Sequence, residues 1–217
     1  FSNLKIVLNG IYEAEKLKLK PEVDMENFPI LYNDEDIKFT KNSWIYYFKP
    51  LTQGLKKALN NSFILNKNNQ INQQILVKNK KKNKKLKKIY KKYIFFKENL
   101  TKEANKFYKN NFYKKKVIAV HARGTDAKIT PNHNFPPTLN QIDFILKKCM
   151  KNKKIEKIFL ITDQLQYLKD LKKKYKNKIC YLDSFRSNNT KIFNLKFRKK
   201  HKYKIGRDSI IEMLILS

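Results

Sequence analysis

Arginine is nearly missing from a chain crowded with positive charge. Of the 50 basic residues among 217, only Arg123, Arg186, Arg198 and Arg207 are arginines; the rest are lysines. Lysine is a compact point charge, whereas the guanidinium fork reads phosphates and base edges in pairs. The shortage weighs against a dedicated nucleic-acid reader despite the net charge of +32. An excess of Lys, Asn and Ile is also the mix that AT-rich coding produces, and it needs no polyanionic partner. Two cysteines, Cys149 and Cys180, exclude a disulfide framework and read as small hydrophobes in a reducing, cytoplasmic compartment. No His, Cys, Asp and Glu set has metal-ligand spacing, so no metal or other cofactor is expected. No apolar run reaches the about 18 residues of a membrane-spanning helix, and no signal peptide is visible. The chain opens on Phe1 and stops inside SIIEMLILS, so both ends are expected to be cuts.

What is present supports a folded protein. A hydrophobic content of 41% over this length can bury one large core or two small ones. Residues 3–19 space apolar side chains three and four apart and predict an amphipathic helix, followed after Pro21 by a short strand, EVDM, at 22–25. WIYYFKP, at 44–50, is an aromatic cluster fit for a core or a domain face, and 52–60 reads as helical. Lys78 to Tyr93 is the densest charge run. Leu86, Ile89, Tyr90 and Tyr93 lie at helical spacing beneath its lysines, as in a solvated helix docked by its apolar stripe. A further helix runs from about Thr101 to Tyr113, with Thr101 and Glu103 at its start.

From residue 116 the pattern becomes regular: strand KVIAVHA, helix TLNQIDFILKKCMKN, strand KIFLIT, helix QLQYLKDLKKKY, strand KICYLD. This alternation predicts a parallel, Rossmann-like sheet with right-handed crossovers. Ligands of such sheets bind beyond the carboxyl ends of the strands. That rule selects His121 to Asp126, Thr162 to Gln164, and Asp183 to Ser187.

Arg123 at a strand end suits an oxyanion such as a diphosphate, and Gly124 beside it would let a phosphate approach the backbone. A salt bridge from Arg123 to Asp126 is the structural alternative. Asp163 and Asp183 can accept from a ribose or a base edge, or Thr162 and Asp163 can cap the following helix. Arg186 with Ser187 is a second oxyanion candidate, or a surface turn. His121 is expected to share the face of Arg123, two residues on.

His-Ala-Arg-Gly-Thr-Asp after a strand resembles the H-x-R-G/R-x-D signature of GDP-fucose-using fucosyltransferases, the nodulation and α1,6-fucosyltransferase-like group with its protein O-fucosyltransferase relatives. IFLITDQ, YLDSFRS, IGRDSIIEMLILS and NSWIYYFKPL resemble further segments of that group. The resemblance implies an α/β, GT-B-like pair of Rossmann-type domains. Residues 1–113 would form an acceptor-side domain and 114–217 a nucleotide-sugar-binding domain truncated at its end. It implies transfer of fucose or a similar sugar from a GDP-sugar to a glycan or other hydroxyl, with inversion. Arg123 would grip the β-phosphate, and Thr162, Asp163, Asp183 and Ser184 would line the nucleotide side. Gly124 departs from the eukaryotic α1,6 enzymes, which carry a second arginine there. Asp126, His133 and His201 are the candidate general bases. A basic nucleic-acid-binding module and a non-catalytic remnant of the same fold remain as alternatives.

Overall fold

The computed structural model describes residues 2–51, 80–125, 128–129, 135–195 and 197–217. The helix expected at 52–60, Asp126 and His133 lie outside them. The chain falls into two compact units, Phe1–Lys97 and Glu98–Ser217.

In the first unit, helix α1 (Ser2–Lys16) packs against helix α3 (Lys80–Tyr93). Ile11 and Ile89 are buried, and Glu15 pairs with Lys92 at 2.8 Å. The lysines of α3 between 84 and 92 stay exposed, as expected of a helix docked by one stripe. The expected strand at 22–25 does not form. Side-chain amides hold that stretch instead of a ladder: Met25 N–H donates to Asn42 Oδ1, Asn42 Nδ2 to the Val23 carbonyl, and Asn33 Nδ2 to the Met25 carbonyl. Helix α2 is the single turn Trp44–Tyr47. Trp44, Tyr46, Tyr47 and Phe48 are all buried, Trp44 stacks on Phe48 at 4.0 Å, and Phe48 forms an antiparallel bridge with Phe96.

The second unit carries helix α4 (Glu98–Phe112), strand β1 (Val117–Ala122), helix α5 (Leu139–Met150), strand β2 (Lys157–Thr162), helix α6 (Leu165–Tyr175), strand β3 (Ile179–Cys180) and helix α7 (His201–Leu216). The strands form a parallel sheet in the order β1-β2-β3, which is the expected α/β architecture. β2 is central, and its residues 158–161, IFLI, are apolar on both faces because both are covered. Ile158 and Leu160 face a core completed by Ile142 and Leu146 of α5 and by Leu168 and Leu171 of α6. Phe159 and Ile161 face the opposite core, with Phe112 of α4 and Ile215 of α7.

Helix α4 begins three residues before Thr101, whose hydroxyl bonds back to the Glu98 carbonyl instead of capping. This helix packs against α7, with an ion pair between Glu103 and Arg207. It therefore belongs to the second unit, and the compact units part at 97/98, not at the 113/114 that the resemblance implies. Thr138 caps α5 in a capping box with Gln141. Among the described residues, no helix is long and apolar enough to cross a membrane.

Candidate functional site

In-register pairing sets the site. Ala122 lies opposite Thr162, so β1 and β2 end level and release Arg123 and Asp163 side by side. Asp163 is the hub: its Oδ1 accepts from Gly124 N–H at 2.8 Å, its Oδ2 accepts from the Thr125 hydroxyl at 2.8 Å, and Arg123 Nε lies 3.4 Å from Oδ2. The helix-capping alternative for Asp163 is not realised. Gln164 is the N-cap residue of α6, without a side-chain cap, while the Thr162 hydroxyl accepts from Gln164 N–H. The described carboxylate partner of Arg123 is Asp163, and the arginine keeps 40% of its side chain exposed.

Gly124 has a different reason from the one its neighbours suggested. A Cβ there would lie 1.9 Å from Gln164 Oε1 and 2.8 Å from Gln164 Cβ. The open side of the glycine is thus filled by Gln164, and its N–H is committed to Asp163.

The third strand mouth joins the other two through backbone bonds. Ser187 N–H donates to the Asp163 carbonyl, and Leu165 N–H donates to the Ser187 carbonyl. Arg186 is buried, not turned outward: Nη1 donates to the Ser184 carbonyl and Nη2 to the Leu182 carbonyl, both at 2.8 Å, with the guanidinium 5.1 Å from the Tyr181 ring centre. It staples its own turn, and its terminal nitrogens are not presented to a ligand. Asp183 is exposed and Ser184 half-buried.

His121 is exposed on β1. Protein packed about its ring and the positive charge of Arg123 lower its pKa below the ordinary histidine value. It borders an open groove of about 880 Å³ along β1 and α5, lined mainly by Ile118, Phe135, Phe144 and Ile145. That groove runs along the strand and not at the three mouths, and its apolar lining does not suit an oxyanion.

His201 is removed as a general base. Arg198 Nε donates to its Nδ1 at 2.8 Å, so the proton sits on Nε2, which donates to the Ile192 carbonyl at 2.8 Å. Sequence reasoning included Thr125 and Gln164 in its selected segments without giving them a role, and it missed two buried acids of α7, Asp208 and Glu212. Burial raises the pKa of both, that of Glu212 to about 7. The available signal was the lone carboxylate in IIEMLIL, an apolar run of a chain poor in acid.

No family model matches the chain, and no curated protein matches it. Among solved structures it is similar to NodZ alpha-1,6-fucosyltransferase co-crystallized with GDP, with 17% identity, a TM-score of 0.44, and coverage of 61% of this chain and 38% of that one. It is also similar to fucosyltransferase NodZ from Bradyrhizobium (17% identity, TM-score 0.44, 61% and 39% coverage). A third is NodZ alpha-1,6-fucosyltransferase soaked with GDP-fucose (18% identity, TM-score 0.42, 61% and 39% coverage). The chain spans about two fifths of the length of these solved structures.

Proposed function

We propose that this chain is part of a glycosyltransferase that moves fucose, or a similar sugar, from a GDP-sugar to a hydroxyl of a glycan or other acceptor, with inversion. The observation carrying this reading is the meeting of Arg123, Asp163 and the Ser184–Ser187 turn at the carboxyl ends of adjacent parallel strands. An H-x-R-G-x-D motif alone is a string of letters; with Arg123 released level with the end of β2 and the Ser187 turn bonded to Asp163, its arginine suits a nucleotide diphosphate.

In such a transfer the anomeric carbon acquires oxocarbenium character while negative charge builds on the departing diphosphate. Arg123 supplies a permanent cation there, and Asp163 fixes its Nε end so that little reorganisation is needed as charge develops. Asp163, Asp183, Ser184 and Ser187 line the nucleotide side, while Thr162 is buried with its hydroxyl on the Gln164 N–H, and His121 stays neutral at pH 7. Arg186 acts by shaping the turn. Asp126 and His133 remain the candidate bases for the acceptor hydroxyl.

Isothermal titration with GDP-fucose tests this reading. Arg123→Lys should weaken binding about tenfold or more, because an ammonium cannot reproduce a charge-assisted fork. Equal affinity in the two proteins would count against the proposal. Tight binding without transfer to any hydroxyl acceptor would favour a non-catalytic remnant.

A further inference from the structure

Helix α7 is rich in apolar residues, yet it turns two carboxylates inward. Asp208 and Glu212 each expose only 8% of their surface. Four residues apart, they share one helix face. Asp208 meets Arg207 Nη1 at 2.9 Å. Glu212 forms no ion pair among the described residues; its Oε1 accepts from the Ser184 hydroxyl at 3.3 Å. Arg186, buried to the same degree, has its two terminal nitrogens on backbone carbonyls, and its Nε has no hydrogen-bond partner among the described residues.

A hydroxyl beside a carboxyl has two arrangements. When the carboxyl is ionised it can only accept, so Ser184 points its hydrogen at Glu212 and offers the crevice lone pairs alone. When the carboxyl is protonated, its O–H donates to Ser184 Oγ and the serine hydrogen turns outward. An oxyanion requires that outward donor.

We propose that Glu212 is a positioning residue that sets, by holding or releasing one proton, whether Ser184 presents a hydrogen-bond donor to the anionic diphosphate of the sugar donor. The inference rests on the GDP-sugar reading given above. Electrostatics has the same sign, since a bound anion disfavours an ionised Glu212. Burial is the largest influence on Glu212. Arg186 favours its charged form, while Asp208 on the same helix and Asp163 at the β2 mouth favour the neutral one. Asp208 itself faces Arg207, Arg198 and Glu103. Together these hold the carboxyl near pH 7, so both states are populated at neutral pH. Above that pH a proton is taken up from solvent when the diphosphate binds, and affinity rises as pH falls.

The test is GDP-fucose affinity between about pH 6 and pH 8.5 in the parent chain, Glu212→Gln and Ser184→Ala. GDP-fucose carries a pyrophosphate diester whose charge is constant over this range. The parent should bind about three- to tenfold more tightly at the acid end. Glu212→Gln, whose amide N–H donates to Ser184 as the neutral acid does, should bind at every pH as tightly as the parent does there. Ser184→Ala should bind weakly and keep only the shallower Glu212-linked step that charge repulsion gives. A flat parent profile, or Glu212→Gln weakened throughout as loss of a mere prop would give, overturns the proposal. If Glu212→Gln does not fold, the parent profile and Ser184→Ala carry the same decision. The Glu212 carboxyl resonance, followed by carbon NMR without ligand, separates this inference from the donor reading. If GDP-fucose binds at no pH, the donor reading fails. Titration near pH 7 that moves in Ser184→Ala then keeps the Glu212–Ser184 coupling, and titration in the ordinary carboxylate range refutes it.

Discussion

Replacing Gly124 by alanine tests the packing that holds the first two strand mouths together. The new methyl would lie 1.9 Å from Gln164 Oε1, 2.9 Å from Cδ and 2.8 Å from Cβ. These contacts differ in what relieves them. Oε1 is buried without a hydrogen-bond partner among the described residues, so the amide can swing aside and lose no bond. Cβ moves only with the backbone at the start of α6, which is tied to the third mouth by the Leu165–Ser187 bond. A shift of backbone in a packed site costs about 1–3 kcal/mol. Gln164→Ala keeps the Cβ and should recover only part of that loss. Gln164→Gly removes the obstacle at an N-cap position, where glycine is well tolerated. Urea denaturation followed by circular dichroism, run on both single variants and the double variant, gives the coupling energy. It should be about 1–2 kcal/mol in the rescuing direction. A Gly124→Ala protein within about 0.5 kcal/mol of the parent, or a cost that persists in the Gln164→Gly background, would refute the reasoning.

Glu212→Gln should alter how stability depends on pH. The folded carboxyl has its pKa raised from 4.5 to about 7, so its contribution is fully present below 4.5 and is lost as pH rises through 7. Relative to the glutamine variant, the parent should lose up to about 3 kcal/mol of stability between pH 4.5 and pH 8. Denaturation midpoints that stay parallel over this range would contradict it. On the first unit, exchanging Lys84, Lys87, Lys88 and Lys91 of α3 for glutamine removes four exposed charges from one helix face. GDP-fucose affinity should not change. If the basic module is instead the working surface, oligonucleotide binding should fall, and its salt dependence should flatten by a slope of about 3–4 in log–log units.

The second half was legible because hydrophobic period and burial agree there. The IFLI of KIFLIT is apolar on both faces, as a covered central strand requires, and the strand occupies 157–162 as the sequence indicates. The rule that sites lie beyond strand ends selects the segments of Arg123, Asp163 and Ser187, which an ion pair and a backbone bond join in the fold. Legibility failed where side chains replaced backbone. EVDM alternates polar and apolar side chains as a strand does, but the amides of Asn33 and Asn42 satisfy its peptide groups, and no local pattern announces a partner 8 to 19 residues away. Thr101 resembled a helix start because caps are local signals; packing of α4 on α7 extended the helix past it.

The sequence by itself determined the parallel α/β unit, the charge of its surfaces and the motif at the tip of β1, because each depends on near neighbours in the chain. Tertiary structure decided the duties of individual polar groups. It assigned Asp163 to the loop of Gly124 and Thr125, turned Arg186 inward onto its own turn, closed both nitrogens of His201, and set Glu212 beneath Ser184. Hydrogen-bond partners and burial are properties of three-dimensional neighbours, and 28 residues of chain separate Ser184 from Glu212.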